Sequence, residues 1–105
     1  MSKEMDQNLY GVLSKLKTVG TVEAFLKDLC TPAEIEAMGE RLELARLLDQ
    51  GDLSYRDISH MTGASTTTVA RVARFLNTEN YGGYRHVMKL MNTKKDKNNV
   101  RKIKT

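Results

Sequence analysis

Apolar residues recur at intervals of three and four along most of the chain, and this pattern predicts helices throughout. The first amphipathic helix is predicted over about residues 5–19, and its apolar positions are Leu9, Val12, Leu13 and Leu16. Gly20 is predicted to end this helix, and Thr21 to cap a short second helix carrying Phe25, Leu26 and Leu29. The sequence contains neither strand alternation nor an internal repeat, so the predicted fold class is all-α.

Thr31-Pro32-Ala33-Glu34 predicts the start of a third helix, which runs to about Gln50 and closes at Gly51. Threonine caps the helix, proline occupies its first turn, and the glutamate completes a capping box. Its predicted apolar stripe consists of Ile35, Met38, Leu42, Ala45 and Leu48. Arg41 falls inside this stripe, where an unpaired guanidinium would be costly. It either reaches the edge of the core or an acid there, or it lines a pocket for an anionic or aromatic ligand.

The most informative segment is residues 53–76, LSYRDISHMTGASTTTVARVARFL. It predicts a short helix over about 54–61, a tight turn at Gly63, where glycine permits a positive φ, and another helix over about 65–76. The inward positions are predicted to be Ile58, Met61, Val69, Val72 and Leu76, flanked by Ala73 and Phe75. This is the pattern of a helix-turn-helix that presents its second helix to the major groove of DNA. A sixth helix is predicted over about 84–91.

The outer face of the fifth helix is small and hydroxylated, which favours close approach to DNA. A threonine hydroxyl can bond a base or a phosphate, and its methyl group can meet the methyl of thymine. Arg74 is placed to reach a phosphate, and Arg56, on the outward face of the fourth helix, to grip a guanine or a phosphate. The candidate DNA-binding residues are Arg56, Ser65, Thr66, Thr67, Thr68, Ala70 and Arg74. The alternative for this set is an ordinary solvated helix face.

Charge is distributed unevenly along the 105 residues, whose net charge is +4. The segment 93–105 holds six basic residues and one acid, which leaves 11 basic and 12 acidic residues for the rest. The predicted organisation is therefore one helical domain over 1–92 and a basic, flexible tail over 93–105. The tail is either a solvated end or a source of non-specific attraction to the duplex. Any nucleic-acid surface on the body must be a local patch.

Several classes of protein are disfavoured by what the sequence lacks. Cys30 is alone, which excludes an intrachain disulfide and a cysteine metal pair. His60 and His86 have no catalytic constellation around them, and there is no glycine-rich phosphate loop. We therefore expect no enzyme, no metal and no cofactor. The sequence shows no apolar stretch long enough to cross a membrane and no secretory signal, so a cytoplasmic location is predicted.

The stretch from Leu29 to Arg71 resembles the tryptophan repressor superfamily, and within it the branch labelled YerC/YecD-like. The shared motifs are L-x-T-P-x-E-x-E-A-x-G-x-R at 29–41, L-x-x-G-x-x-S-x-R at 48–56, G-A at 63–64 and T-x-x-R at 68–71. The resemblance implies a six-helix, intertwined homodimer that binds a palindromic operator in double-stranded DNA and regulates transcription, as a repressor. It implies that Arg56 contacts a base, and that Thr66, Thr67 and Ala70 form the tip facing the bases.

The effector pocket of that family carries over only in part. Arg41 and Arg71 match the two arginines that sandwich the indole of tryptophan, and Thr31 matches a pocket threonine. Val72, however, stands where the ligand's space requires a glycine, and Phe75 replaces a serine. We therefore expect poor tryptophan binding. The candidate pocket is either filled by the protein's own residues or takes a different small-molecule effector.

Two other functions remain open at this point. The run from the capped third helix through the fifth also resembles the promoter-reading end of a sigma factor, so an accessory of the transcription apparatus is one alternative. The other is a protein-interaction module whose helix-turn-helix no longer contacts DNA.

Overall fold

The computed structural model describes residues 2–79 and 81–98, with side chains over 3–79 and 81–92. Within these ranges the chain forms six helices and no strand, as the predicted all-α class requires. They are α1 (Ser2–Lys15), α2 (Val19–Leu29), α3 (Pro32–Gln50), α4 (Tyr55–Thr62), α5 (Thr66–Asn77) and α6 (Gly83–Asn98). No helix in the described ranges combines the length and the apolar character needed to cross a bilayer.

The helices fall into two compact units, Met1–Ala37 and Met38–Thr105, with the boundary inside α3. The N-terminal unit holds α1, α2 and the beginning of α3, and none of its side chains described from Lys3 onward is buried. The C-terminal unit holds the remainder of α3 and α4 to α6, and all the buried residues described belong to it.

α2 begins earlier than predicted, because Thr18 rather than Thr21 is its N-cap. The Thr18 hydroxyl accepts the Thr21 backbone N–H at 3.1 Å, and the Thr21 hydroxyl accepts the Thr18 backbone N–H at 3.3 Å. Thr21 therefore has the role that glutamate or glutamine has in most capping boxes. Gly20 lies inside the first turn of α2 instead of ending α1, which stops at Lys15.

The start of α3 is confirmed. The Thr31 backbone N–H donates to Glu34 Oε1 at 2.8 Å, and the Glu34 N–H donates to Thr31 Oγ1 at 3.1 Å. The predicted apolar stripe is partly wrong, because the buried side chains of α3 are Leu44, Ala45 and Leu47. Of the predicted stripe, Ala45 joins the core and Leu48 packs against it, whereas Met38 and Leu42 are each 39% exposed.

The core of the C-terminal unit is formed by α3, α4, α5 and α6 together. Its buried members are Leu44, Ala45, Leu47, Ile58, Ala64, Val69, Val72, Leu76 and Met88. Ile58 and Val69 are completely shielded from solvent, so the two helices that carry them are held together at their centres. This packing fixes α5 against the rest of the unit and decides which of its faces remains exposed.

The turn between α4 and α5 depends on Gly63, whose φ of 86° lies in the left-handed region. Its N–H donates to the Ser59 carbonyl at 2.9 Å and ends α4. The Ser59 hydroxyl in turn donates to the Ala64 carbonyl at 2.6 Å. The predicted inward position of Met61 is wrong, because its side chain is 61% exposed. Thr62, four residues after Ile58, takes that place, and its hydroxyl donates to the Ile58 carbonyl at 2.8 Å.

α6 extends further than the predicted range of 84–91, from Gly83 to Asn98. The predicted basic tail begins inside the backbone of this helix, and its residues 99–105 lie outside the described part of the chain.

Candidate nucleic-acid interface

The exposed face of α5 is built from its first two turns. Thr66, Thr67 and Ala70 are all exposed, while Val69 and Val72, one or two positions away, are buried. The separation follows from the helical period, which places residues 66, 67 and 70 on one side and residues 69, 72, 73 and 76 on the other. The sequence-predicted tip is therefore brought together as one surface, with small side chains and two free hydroxyl groups.

Ser65 and Thr68 lie at the end of the same surface and have structural tasks. The Ser65 hydroxyl accepts the Thr68 backbone N–H at 3.1 Å, which caps α5. The Thr68 hydroxyl lies 3.1 Å from the Ser65 hydroxyl, and its side chain is half-buried. These two candidates are thus occupied with ordering the helix end that carries Thr66 and Thr67.

Arg56 is exposed on α4, beside Asp57 and near His60, which is also exposed. Asp57 closes the capping box of α4, accepting the Ser54 backbone N–H at 3.1 Å. That bond, with the weaker attraction of Arg56 and His60, lowers the pKa of the Asp57 carboxyl. The carboxylate is therefore committed to Ser54, and the Arg56 guanidinium makes no hydrogen bond or ion pair with the residues described.

Arg74, the predicted phosphate contact, is exposed at the last turn of α5 and already has an anionic partner. Its Nε lies 3.1 Å from Glu79 Oε2. The Glu79 backbone N–H also donates to the Arg74 carbonyl at 2.9 Å, which holds the carboxylate near the helix end. Glu79 was not predicted from the sequence, because the residues after the predicted end of the fifth helix show no periodic pattern that would place them.

The candidate effector pocket corresponds to an open depression of about 450 Å³ in the C-terminal unit, called here the Arg41–Arg71 depression. Its lining residues are Arg41, Leu42, Arg71, Val72, Phe75, Tyr81, Gly83, Tyr84 and Val87. Arg41 is half-buried and pairs with no acid among the described residues. Thr31 belongs to the other unit, where it caps α3.

The Phe75 ring makes cation–π contacts with two arginines beside this depression. The Arg71 Cζ lies 4.6 Å from the centroid of the Phe75 ring, and the Arg74 Cζ lies 5.5 Å from it. Tyr81 stacks on the same ring, with centroids 6.2 Å apart and the planes inclined by 13°. Val72, the other residue predicted to add bulk, is buried in the core and lines the floor.

Arg85, in the first turn of α6, forms a second set of contacts that no pattern in the sequence predicted. Its guanidinium donates to the Leu76 carbonyl at 3.1 Å, to Asn77 Oδ1 at 2.6 Å and to Asp49 Oδ1 at 2.6 Å. Asn92 Nδ2 lies 3.4 Å from the other oxygen of Asp49. These five residues come from the ends of α3 and α5 and from α6, and we call this set the Arg85 bridge.

The described side chains form no cluster of metal ligands. Across those side chains, no three His, Cys, Asp or Glu residues lie together in a way that could hold a metal ion. His60 and His86 are both exposed, on α4 and α6 respectively.

Comparison with known proteins gives two agreeing results. The family model described as Trp repressor protein matches residues 4–92, which include all of α2 to α5. The uncharacterized protein YerC of Bacillus subtilis (strain 168) is 46% identical over 78 residues, which cover 74% of this chain and 73% of the relative. The matched region contains every candidate DNA-binding residue and the whole Arg41–Arg71 depression. The chain therefore belongs to the Trp repressor protein family, a family of DNA-binding regulators.

Proposed function

We propose that this protein is a homodimeric, sequence-specific transcriptional repressor that reads a palindromic operator through α5. The proposal rests mainly on the exposed, uncharged surface that Thr66, Thr67 and Ala70 form at the N-terminal end of α5. On the opposite side of the helix, Val69 and Val72 are buried in the core and hold this surface in place. Such a surface lets the helix approach base edges closely, because no long side chain stands in the way. A solvated face would need neither the small residues nor the rigid support.

The contacts divide into two kinds. Thr66, Thr67 and Ala70 face the bases, and Ser65 and Thr68 order the helix end beneath them. Arg56 has no competing partner among the described residues, so its guanidinium is available for a guanine or a phosphate. Arg74 supplies a phosphate contact once it exchanges Glu79 for the duplex.

A second copy of the chain is required by the proposal, and the N-terminal unit supports this. Leu9, Val12 and Leu13 line one face of α1, and all three are exposed in the single chain. Isolated helices of this length are marginal in water, so α1 needs a partner for its apolar face. Pairing two chains would also supply the two recognition helices that a palindromic operator requires.

The proposed repressor does not depend on tryptophan. The Arg71 and Arg74 guanidiniums lie over the Phe75 ring, on which Tyr81 also stacks, so a cation that would face an aromatic ligand already faces an aromatic ring of the protein. Equilibrium dialysis is expected to show no micromolar binding of tryptophan. Micromolar binding would overturn the steric argument built on Val72 and Phe75.

Selection of bound duplexes from random DNA tests the function directly. We expect a two-fold symmetric consensus bound by the isolated protein. Arg56→Ala and Thr67→Ala should each weaken binding to it by about 1–3 kcal/mol, the value of a good base contact, without changing the dimer. Lys89→Ala and Ser14→Ala are matched controls on exposed helical positions elsewhere.

Two outcomes would favour other functions. Binding that appears only in the presence of RNA polymerase would favour a transcription-apparatus accessory. A folded dimer that selects no duplex under either condition would leave a protein-interaction module.

A further inference from the structure

We propose that Arg85 is a positioning residue that fixes the recognition helix α5 in its DNA-reading orientation, an inference that rests on the proposed function. The three acceptors of its guanidinium are the Leu76 carbonyl, the Asn77 side chain and the Asp49 carboxylate. Arg85 therefore ties the C-terminal end of α5 to the C-terminal end of α3 through the first turn of α6.

The positive charge of Arg85 interacts unfavourably with the dipole of its own helix, α6. Cations are disfavoured in the first turn of a helix, where the backbone dipole presents its positive end, and the first turn of α6 contains no acid. The same cation is well placed for two other helices, because Leu76 and Asp49 lie at the negative, C-terminal ends of α5 and α3. The position of Arg85 is explained by what it holds rather than by the helix that carries it.

The geometry requires an arginine. The three acceptors lie at two helix ends, the C-terminal ends of α5 and α3, and they are met by three separate N–H groups of one planar guanidinium, Nε, Nη1 and Nη2. A lysine ammonium is a single point charge and cannot span the three acceptors at once. The arrangement also satisfies one of the last four carbonyls of α5, which have no partner inside the helix.

The bridge lies at the opposite end of α5 from the residues that face DNA, and this gives it leverage. A helix of 12 residues is about 18 Å long, so a tilt of about 5° at one end moves the other by about 1.5 Å. Such a shift is enough to break a hydrogen bond to a base edge. The N-terminal tip is ordered locally by Ser65, but its direction relative to the core is set in part by the Arg85 bridge.

The experiment compares two variants that break the bridge from opposite sides, Arg85→Lys and Asp49→Asn, with Lys89→Ala as a control on α6. Binding is measured to the selected operator and to unrelated duplex over a range of salt concentrations. If the bridge positions α5, both variants weaken operator binding by about tenfold, the value of one charge-assisted hydrogen bond. Binding to unrelated duplex and the salt dependence stay at the wild-type values, and the double variant is no weaker than the weaker single variant.

A direct contact between Arg85 and a DNA phosphate would change operator binding differently in the two variants. Arg85→Lys would retain operator binding, because lysine also binds phosphates, and Asp49→Asn would strengthen it by removing a negative charge. That result would overturn the proposal. Wild-type operator binding in both variants would overturn it as well.

A readout without DNA separates this inference from the proposed function. Hydrogen exchange should accelerate at the last turn of α5 and at Thr78 and Glu79 in both bridge variants, but not at the Ser65 end and not in Lys89→Ala. If the wild-type protein selects no operator while this acceleration is present, the proposed function fails and the bridge remains as a device that orders α5. Unchanged exchange would refute the bridge itself.

Discussion

Both units of the molecule contain apolar residues at helical spacing, but they bury them very differently. In the C-terminal unit, Leu44, Ile58, Val69 and Val72 are almost completely shielded from solvent. In the N-terminal unit, whose described side chains begin at Lys3, none is buried, although α1 and α2 are both amphipathic. The contrast shows that an apolar stripe specifies a surface to be covered but not what covers it.

The proposed second copy would give the two units different sources of stability. The C-terminal unit has its own core and should hold α3 to α6 together within one chain. If the second copy proposed above pairs with α1, the N-terminal unit is ordered by association, since Leu9, Val12 and Leu13 are exposed in the single chain. Its stability should accordingly vary with protein concentration, whereas that of the C-terminal core should vary less.

The largest expected effect compares a residue in the core of the C-terminal unit with one on the exposed apolar face of α1. Ile58→Ala should lower the free energy of unfolding by about 2–5 kcal/mol at any protein concentration, because Ile58 is fully buried in the single chain. The matched change Leu13→Ala, at a position 36% exposed, should have an effect that disappears as the protein is diluted to the monomer. Urea unfolding at two widely separated protein concentrations measures both. A concentration-independent loss in Leu13→Ala would remove the distinction between the units.

The next effect introduces a charge into the stripe of α1. Leu13→Asp should weaken association by at least about 100-fold, since a carboxylate would have to be desolvated in the interface. Ser14→Asp adds the same charge at the adjacent position, on the other face of α1, and should leave association unchanged. Sedimentation equilibrium distinguishes the two variants. Equal association constants would mean that this face of α1 is not the interface.

A smaller effect is expected in the turn between α4 and α5, where a change in backbone conformation should alter both stability and operator affinity. Gly63→Ala should lower the free energy of unfolding by about 1–2 kcal/mol, because a residue with a Cβ is strained at a φ of 86°. No neighbouring atom would contact the added methyl group, so the backbone conformation is the only source of this loss. Gly51→Ala has the same backbone problem, with φ at 83°, and also meets open space. The two variants should lose similar stability, but only Gly63→Ala should lose more operator affinity than that stability change explains. Thermal unfolding and operator titration decide the matter.

The smallest effect is a dependence on pH. The pKa of the Asp57 carboxyl is lowered mainly by the Ser54 backbone N–H, so the folded state holds the carboxylate more strongly than the unfolded chain does. This contribution to stability is complete above the unfolded value, near 4, and is lost as the pH falls through the lower, folded value. The pKa of Glu23 is also lowered, mainly by its hydrogen bond from Lys27, in the N-terminal unit.

Salt separates these two carboxylates. Added salt screens an exposed ion pair such as Glu23–Lys27 but has little effect on a bond from a backbone N–H. Acid titrations of stability should therefore retain the Asp57 contribution in high salt and lose that of Glu23. Asp57→Asn and Glu23→Gln identify the two contributions, and the Ser54→Ala variant should lose about 1 kcal/mol with the cap. A titration that salt affects equally in both variants would contradict this assignment.

Local signals predicted local structure well. The Thr31–Glu34 capping box and the left-handed turn at Gly63 depend on a few adjacent residues, and the structure has both where the sequence indicated. Family-level motifs gave the family itself, which the comparisons confirm. The direct roles of the candidate DNA-binding residues stay predictions that the exposed face of α5 supports.

Features that depend on packing angles were harder to predict. Met61 and Thr62 are both at helical spacing from Ile58, and only the observed rotation of α4 decides that Thr62 turns inward. The Arg85 bridge joins residues 36 positions apart, from Asp49 to Arg85, so no window of the sequence contains it. The helical period placed Arg74 on the outer face of the fifth helix as a candidate phosphate contact, but its internal partner Glu79 lies beyond the helix that the pattern defined.

The Arg74–Glu79 pair has a consequence for how salt titrations are interpreted. In the proposed complex, a duplex phosphate replaces Glu79 opposite Arg74, and a condensed cation leaves the DNA. The Arg74–Glu79 ion pair must first be broken, which offsets part of the attraction to the phosphate. The salt dependence of binding would then count this contact in full, while its contribution to affinity would be smaller than that of an arginine with no internal partner.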